Sequence, residues 1–131
     1  MDTTKLFDHT PFVTLREEVM ALFDQGAPHE EIDAKLFAFL RHIEAQFSAE
    51  EQAMHTAGFK PYDAHKAEHD RVVKKLSYRI EQWQKNREIP LMLGYIETEL
   101  ADWFVKHVNT RDFITARFLS AHTSEPVQRS N

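Results

Sequence analysis

The stretch Tyr62-Asp63-Ala64-His65-Lys66-Ala67-Glu68-His69-Asp70 places two histidines four residues apart. On a helix that spacing stacks them one turn above each other on one face. The same face continues as Val72, Val73, Leu76, Ile80 and Trp83, a helical period of apolar residues that marks it as buried. Two imidazoles inside a bundle need partners, because an unpaired buried polar group is costly. A metal ion is one answer, histidine being the commonest metal ligand. Hydrogen bonds to neighbouring carboxylates are the other.

Working outward, the chain divides into amphipathic helices separated by proline and glycine. Residues 1–7 form an irregular arm, with Leu6 and Phe7 able to anchor it. A first helix starts at Asp8 or Thr10, both good caps, and tolerates Pro11 in its first turn. It buries Phe12, Leu15, Val19, Leu22 and Phe23, and Gly26 ends it. Pro28 opens a second helix with Glu30 and Glu31 at the positive end of its dipole. Its stripe is Ile32, Leu36, Phe39, Leu40, Ile43, Phe47 and Met54, with His42, Gln46 and Glu50 on or beside it; Gly58 terminates it. Pro61 opens the third helix, which carries the histidine pair and fades near residues 85–87.

Pro90 opens the fourth helix, with Leu93, Ile96, Leu100, Trp103, Phe104 and His107 facing inward. Val108-Asn109-Thr110 is read as its break, and Thr110 as the cap of a short last helix packed through Phe113, Ile114, Phe118 and Leu119. A polar tail follows from residue 120. There is no period-two alternation and no hairpin turn. The expectation is an all-α chain: one antiparallel up-down four-helix bundle spanning residues 8–108, with an N-terminal arm and a short C-terminal helix and tail over 109–131.

Bulk composition agrees with one domain. The chain has 131 residues, 42% of them apolar. A net charge of −5 argues against nucleic-acid or anionic-membrane binding through bulk charge. No cysteine is present, which removes thiolate sites and disulfides. The first residues lack a signal-peptide pattern and no apolar run is long enough to span a bilayer, so a cytoplasmic protein with no membrane association is expected.

Each helix offers inward polar groups: His9 from the first, Gln46 and Glu50 from the second, His65 and His69 from the third, and His107 with Asp112 five residues later from the fourth. Four imidazoles and two carboxylates make a nitrogen–oxygen ligand set suited to iron, manganese or zinc. His65-x-x-Glu68-His69 also spells an inverted zinc-protease pattern, but a small closed bundle offers little cleft for a substrate. His29, His55 and His122 lie near helix ends or in the tail and are read as solvated.

The sequence here resembles the hemerythrins, in particular the single-domain bacterial ones. The resemblance covers roughly residues 8 to 119. It rests on Phe47-Ser48-Ala49-Glu50-Glu51 with Met54, on Gly58-Phe59 followed by His65-Lys66-Ala67-Glu68-His69, and on Trp103-Phe104-Val105-Lys106-His107 with Asp112. It implies two non-haem irons bridged by a glutamate, an aspartate and an oxygen atom, with dioxygen bound reversibly at the open iron. Matched residue by residue, His65, His69 and His107 would hold one iron. Glu50 and Asp112 would bridge to a looser second iron beside His9.

Two positions depart from that pattern. The family has a histidine where this chain has Gln46, which ligates only weakly through its carbonyl oxygen. His42 lies one turn earlier, about 6 Å along the axis, and would reach the site only if the helix or the metal shifted. Phe104 replaces the leucine that commonly lines the dioxygen pocket. The resulting expectation is a non-haem di-iron protein with a modified second site. It would carry an oxo, hydroxo or water ligand and bind dioxygen or a related small ligand in sensing, storage or redox work. The alternatives are a peroxide- or nitric-oxide-consuming di-iron enzyme, and a relic bundle without metal that acts as an interaction module.

Overall fold

The computed structural model describes residues 6–129, with side chains as far as residue 121. The expected arm falls largely outside this range, and so does the His122 side chain. Helix α1 is Thr10–Asp24, α2 His29–Ala57 and α3 Tyr62–Asn86. A long fourth rod then runs through α4 (Ile89–Gly94), a π turn over Tyr95–Glu99, α5 (Leu100–His107), a second π turn over Val108–Asp112, and α6 (Phe113–Arg129). Short joins return each helix against its predecessor, and α6 leans on α2. No strand occurs among the described residues, and no helix there is long and apolar enough to cross a membrane.

The local causes of these boundaries are plain. The Asp8 carboxylate accepts the Thr10 amide at 3.0 Å, which settles the start of α1. Gly26 and Gly58 sit at φ +65° and +69°, the left-handed conformation that costs glycine nothing. Around them Ala27 N–H bonds to the Leu22 carbonyl at 3.0 Å and Phe59 N–H to that of Met54 at 3.0 Å, so orphan carbonyls at both helix ends are satisfied. Prolines 28, 61 and 90 stand at the openings of α2, α3 and α4.

The core forms where the four apolar stripes meet. Val19, Leu36, Phe39, Leu76, Ile96 and Leu100 are essentially inaccessible. Trp83 closes the end of the bundle remote from His65 and His69, edge-on to Phe23 and to His29. Its indole N–H donates to Asp33 Oδ1 at 2.8 Å, and Arg87 adds a two-pronged bond to the same carboxylate at 2.7 and 3.0 Å. Arg87 depresses the Asp33 pKa most, against the opposing effect of partial burial, and Trp83 adds to the depression. A depressed carboxylate stabilises the fold above its unfolded pKa, and that contribution disappears as pH falls through the lower folded value. Asp33→Asn should therefore lower the thermal midpoint by about 3 °C near neutral pH and flatten the loss of stability in acid. Calorimetry across pH checks this, and a midpoint unchanged at neutral pH would contradict it.

The fourth rod differs from expectation in several ways: it carries a π turn over Tyr95–Glu99, and its last helix, expected to be short with a tail from residue 120, continues to Arg129. Val108-Asn109-Thr110 does not break it, because the backbone stays helical and widens by one residue instead. Phe113 and Ile114, expected to pack, are each 56% exposed. The widened turn rotates them to solvent and brings Thr115 and Leu119 inward. Phe118 is half-buried, with its ring 4.9 Å from Phe59.

Candidate metal centre

At the other end of the bundle the interior turns polar. Glu50, His65, His69, His107 and Asp112 are all buried, and one ligand-type atom from each lies within 4.8 Å of every other. His65 and His69 come from adjacent turns of α3 and Glu50 from the facing turn of α2. His107 and Asp112 are brought together by the π turn. Five residues of regular α-helix would set them about 140° apart, whereas an i→i+5 turn returns them to one face.

The inward-facing atoms are closely spaced. His107 Nε2 lies 3.2 Å from His65 Nε2, 3.3 Å from His69 Nε2 and 2.9 Å from Asp112 Oδ1. Asp112 Oδ1 is also 3.1 Å from His65 Nε2. Donors at right angles about an ion, each about 2.1 Å from it, lie about 3.0 Å apart.

The outward ring nitrogens are each tied down. His69 Nδ1 meets Glu51 Oε2 at 2.9 Å, His107 Nδ1 meets Glu68 Oε1 at 3.1 Å, and His65 Nδ1 meets Thr115 Oγ1 at 2.9 Å. Arg111 bonds to the second oxygen of Glu68. Carboxylate partners place the proton of His69 and His107 on Nδ1, which leaves the Nε2 lone pairs facing inward. Converging lone pairs repel unless a cation lies between them. Glu50 Oε1 makes the same point: it is buried, 3.3 Å from His69 Nε2, and no hydrogen bond reaches it. The donor set therefore fits a metal ion.

Electrostatics follow from burial and from these neighbours. Burial pushes the His69 ring down to about 4, outweighing Glu51, with His65 and His107 acting in the same direction as burial. Burial raises Glu50, and the neighbouring Asp112 charge raises it further. Asp112 is opposed by burial but held well below the carboxylate range by His107, His65 and His9. For His107, desolvation is outweighed by Asp112 and Glu68, and its pKa rises.

The remaining sequence candidates lie to one side. His9 is partly exposed and reaches Asp112 Oδ2 at 3.2 Å, with its ring edge-on to Phe104. Gln46 presents its amide nitrogen, donating to Glu50 Oε2 at 2.8 Å and to the Leu6 carbonyl. His42 is half-buried and lines a small cavity with His9, Phe12, Gln46, Trp103 and Phe104, but stands outside the cluster. Phe104 stacks on Phe12 at 4.0 Å and fills much of that side. Sequence reasoning missed Thr115 and the role of Glu51. The spacing Asp112-x-x-Thr115 was the available signal for the first. Adjacency to Glu50 pointed away from the second, since neighbours on a helix face different ways.

An up-down helical bundle with three histidines and two carboxylates converging in its interior belongs to the class of bundles able to hold metal on facing helices. Over 112 residues the chain is 30% identical to a bacteriohemerythrin of Aquifex aeolicus, covering 81% of this chain and 86% of that one. Over 114 residues it is 31% identical to a bacteriohemerythrin of Ralstonia nicotianae, covering 86% and 77%. The chain belongs to the hemerythrin family. No family model matches the sequence, and no solved structure matches it.

Proposed function

We propose that this chain is a hemerythrin-type non-haem iron protein that binds dioxygen or a related small ligand. Iron would be held by His65, His69, His107, Glu50 and Asp112. The observation that carries this reading is the convergence of three buried Nε2 atoms, two of which, on His69 and His107, are fixed as acceptors by carboxylates on their Nδ1. Bound iron would supply a Lewis-acidic, redox-active centre.

The chain's own groups do the rest. Five donors leave a six-coordinate ion room for one ligand from outside. Glu51, Glu68 and Thr115 orient the three rings and make them better donors. The cavity beside Gln46 and Phe104 is largely apolar and narrow, which suits a diatomic or triatomic ligand such as dioxygen, nitric oxide or azide.

The test is iron content of purified and reconstituted protein, followed by optical titration with azide and nitric oxide. Iron retention and saturable spectral change are expected in the wild type, and both are lost in His65→Ala. Protein that holds no iron after anaerobic reconstitution would overturn the reading. Continued consumption of added peroxide or nitric oxide beyond one equivalent would assign turnover in place of binding.

A further inference from the structure

The family resemblance implies two irons, but the side of the site meant for the second does not fit one. Gln46 occupies both of its N–H groups, one on Glu50 Oε2 at 2.8 Å and one on the Leu6 carbonyl. A donor group cannot ligate a cation. Turning the amide over would set its oxygen against two acceptors, Glu50 Oε2 and Leu6 O, so its orientation is fixed by what faces it. The carboxylate oxygen that a second ion would need is therefore already bonded. The matching oxygen on the other carboxylate, Asp112 Oδ2, lies 3.2 Å from His9 Nε2.

Few other donors remain. The cavity at this position presents one further nitrogen donor, His42, which stands outside the cluster, among rings such as Phe12, Trp103 and Phe104. The additional acid there, Asp8, is exposed and bonded to the Thr10 amide. Charge argues the same way. The two buried carboxylates balance one divalent ion, and a second would bring two further positive charges into a largely apolar wall.

We propose that this chain holds a single metal ion, and that Gln46, locked by the Leu6 carbonyl, and His9 hydrogen-bond the carboxylate oxygens that a second ion would otherwise bind. The proposal rests on the iron reading above and narrows it. Gln46 and His9 are then positioning residues: they hold Glu50 and Asp112 with one oxygen each toward the three imidazoles.

The experiment is a metal count. The full chain is incubated anaerobically with excess ferrous iron and desalted, and iron per chain is measured by elemental analysis. Electron paramagnetic resonance of the oxidised sample then separates an isolated ferric ion from a coupled, silent pair. One iron per chain and an isolated-ion signal are expected. Gln46→His supplies the missing nitrogen and removes the donor on Glu50, so its count should rise toward two with loss of the isolated-ion signal. Two irons in the wild type overturn the proposal while leaving the iron reading intact. A count near zero removes both. Gln46→His remaining at one overturns the role given to Gln46, and if that variant fails to fold the wild-type count decides.

Discussion

His107→Ala should abolish metal retention and destabilise the fold by about 2–5 kcal/mol, the cost of truncating a large buried side chain. His107 Nε2 is the atom the cluster shares, within 3.3 Å of both other imidazoles and 2.9 Å from Asp112. Removing it takes one ligand from the centre and leaves a void beside Asp112 Oδ1. It also leaves Glu68 paired only with Arg111. Trp103, whose ring stacks on His107 at 4.5 Å, loses its support as well. Metal content and urea unfolding measure the two effects. The exposed neighbour Lys106→Ala is the control and should fall within about 0.5 kcal/mol of wild type. Full metal retention by His107→Ala would refute the ligand set as drawn.

Metal removal should be the second large effect. An ion that binds the folded chain alone stabilises it by about 4 kcal/mol once its free concentration exceeds its dissociation constant about 1,000-fold. For a chain of this size that is roughly 10–20 °C in thermal midpoint. The sign follows from the site. Without a cation, Glu50 Oε1 is buried with no hydrogen bond, and the inward nitrogens of His65, His69 and His107 face one another. Calorimetry of chelator-treated protein, before and after iron is returned, gives the shift. Identical midpoints would mean that the interior is satisfied without metal.

Much of this was legible in the sequence because the signals are local. His65 and His69 are four apart, and the apolar residues behind them fix which way both point. Prolines 28, 61 and 90 and glycines 26 and 58 mark chain reversals through their own backbone limits, so four helices and their order followed. Glu50 and His107 lay on stripes already known to be buried.

What was not legible depended on departures from a regular period or on contacts across the bundle. Residues 108–112 contain neither proline nor glycine, and a wheel drawn at 3.6 residues per turn cannot show that they form a π turn. Such a wheel therefore puts Phe113 and Ile114 inside and gives no sign of Thr115. Gln46 could be recognised as a departure, but which end of its amide faces Glu50 depends on the Leu6 carbonyl, forty residues earlier in the chain.

The wide turn at Val108–Asp112 has a consequence for how this rod tolerates change. Upstream and downstream of it, side chains keep two different angular phases, and the surplus residue is the clutch between them. Excising one residue there would swing every later position by about 100°. Asp112, Thr115 and Leu119 would turn away from their partners together, while each kept its chemical identity. Spacing in this short segment is thus as much a determinant of the interior as the histidines themselves, and Val108 and Asn109 should accept new side chains far more readily than the segment accepts a change of length.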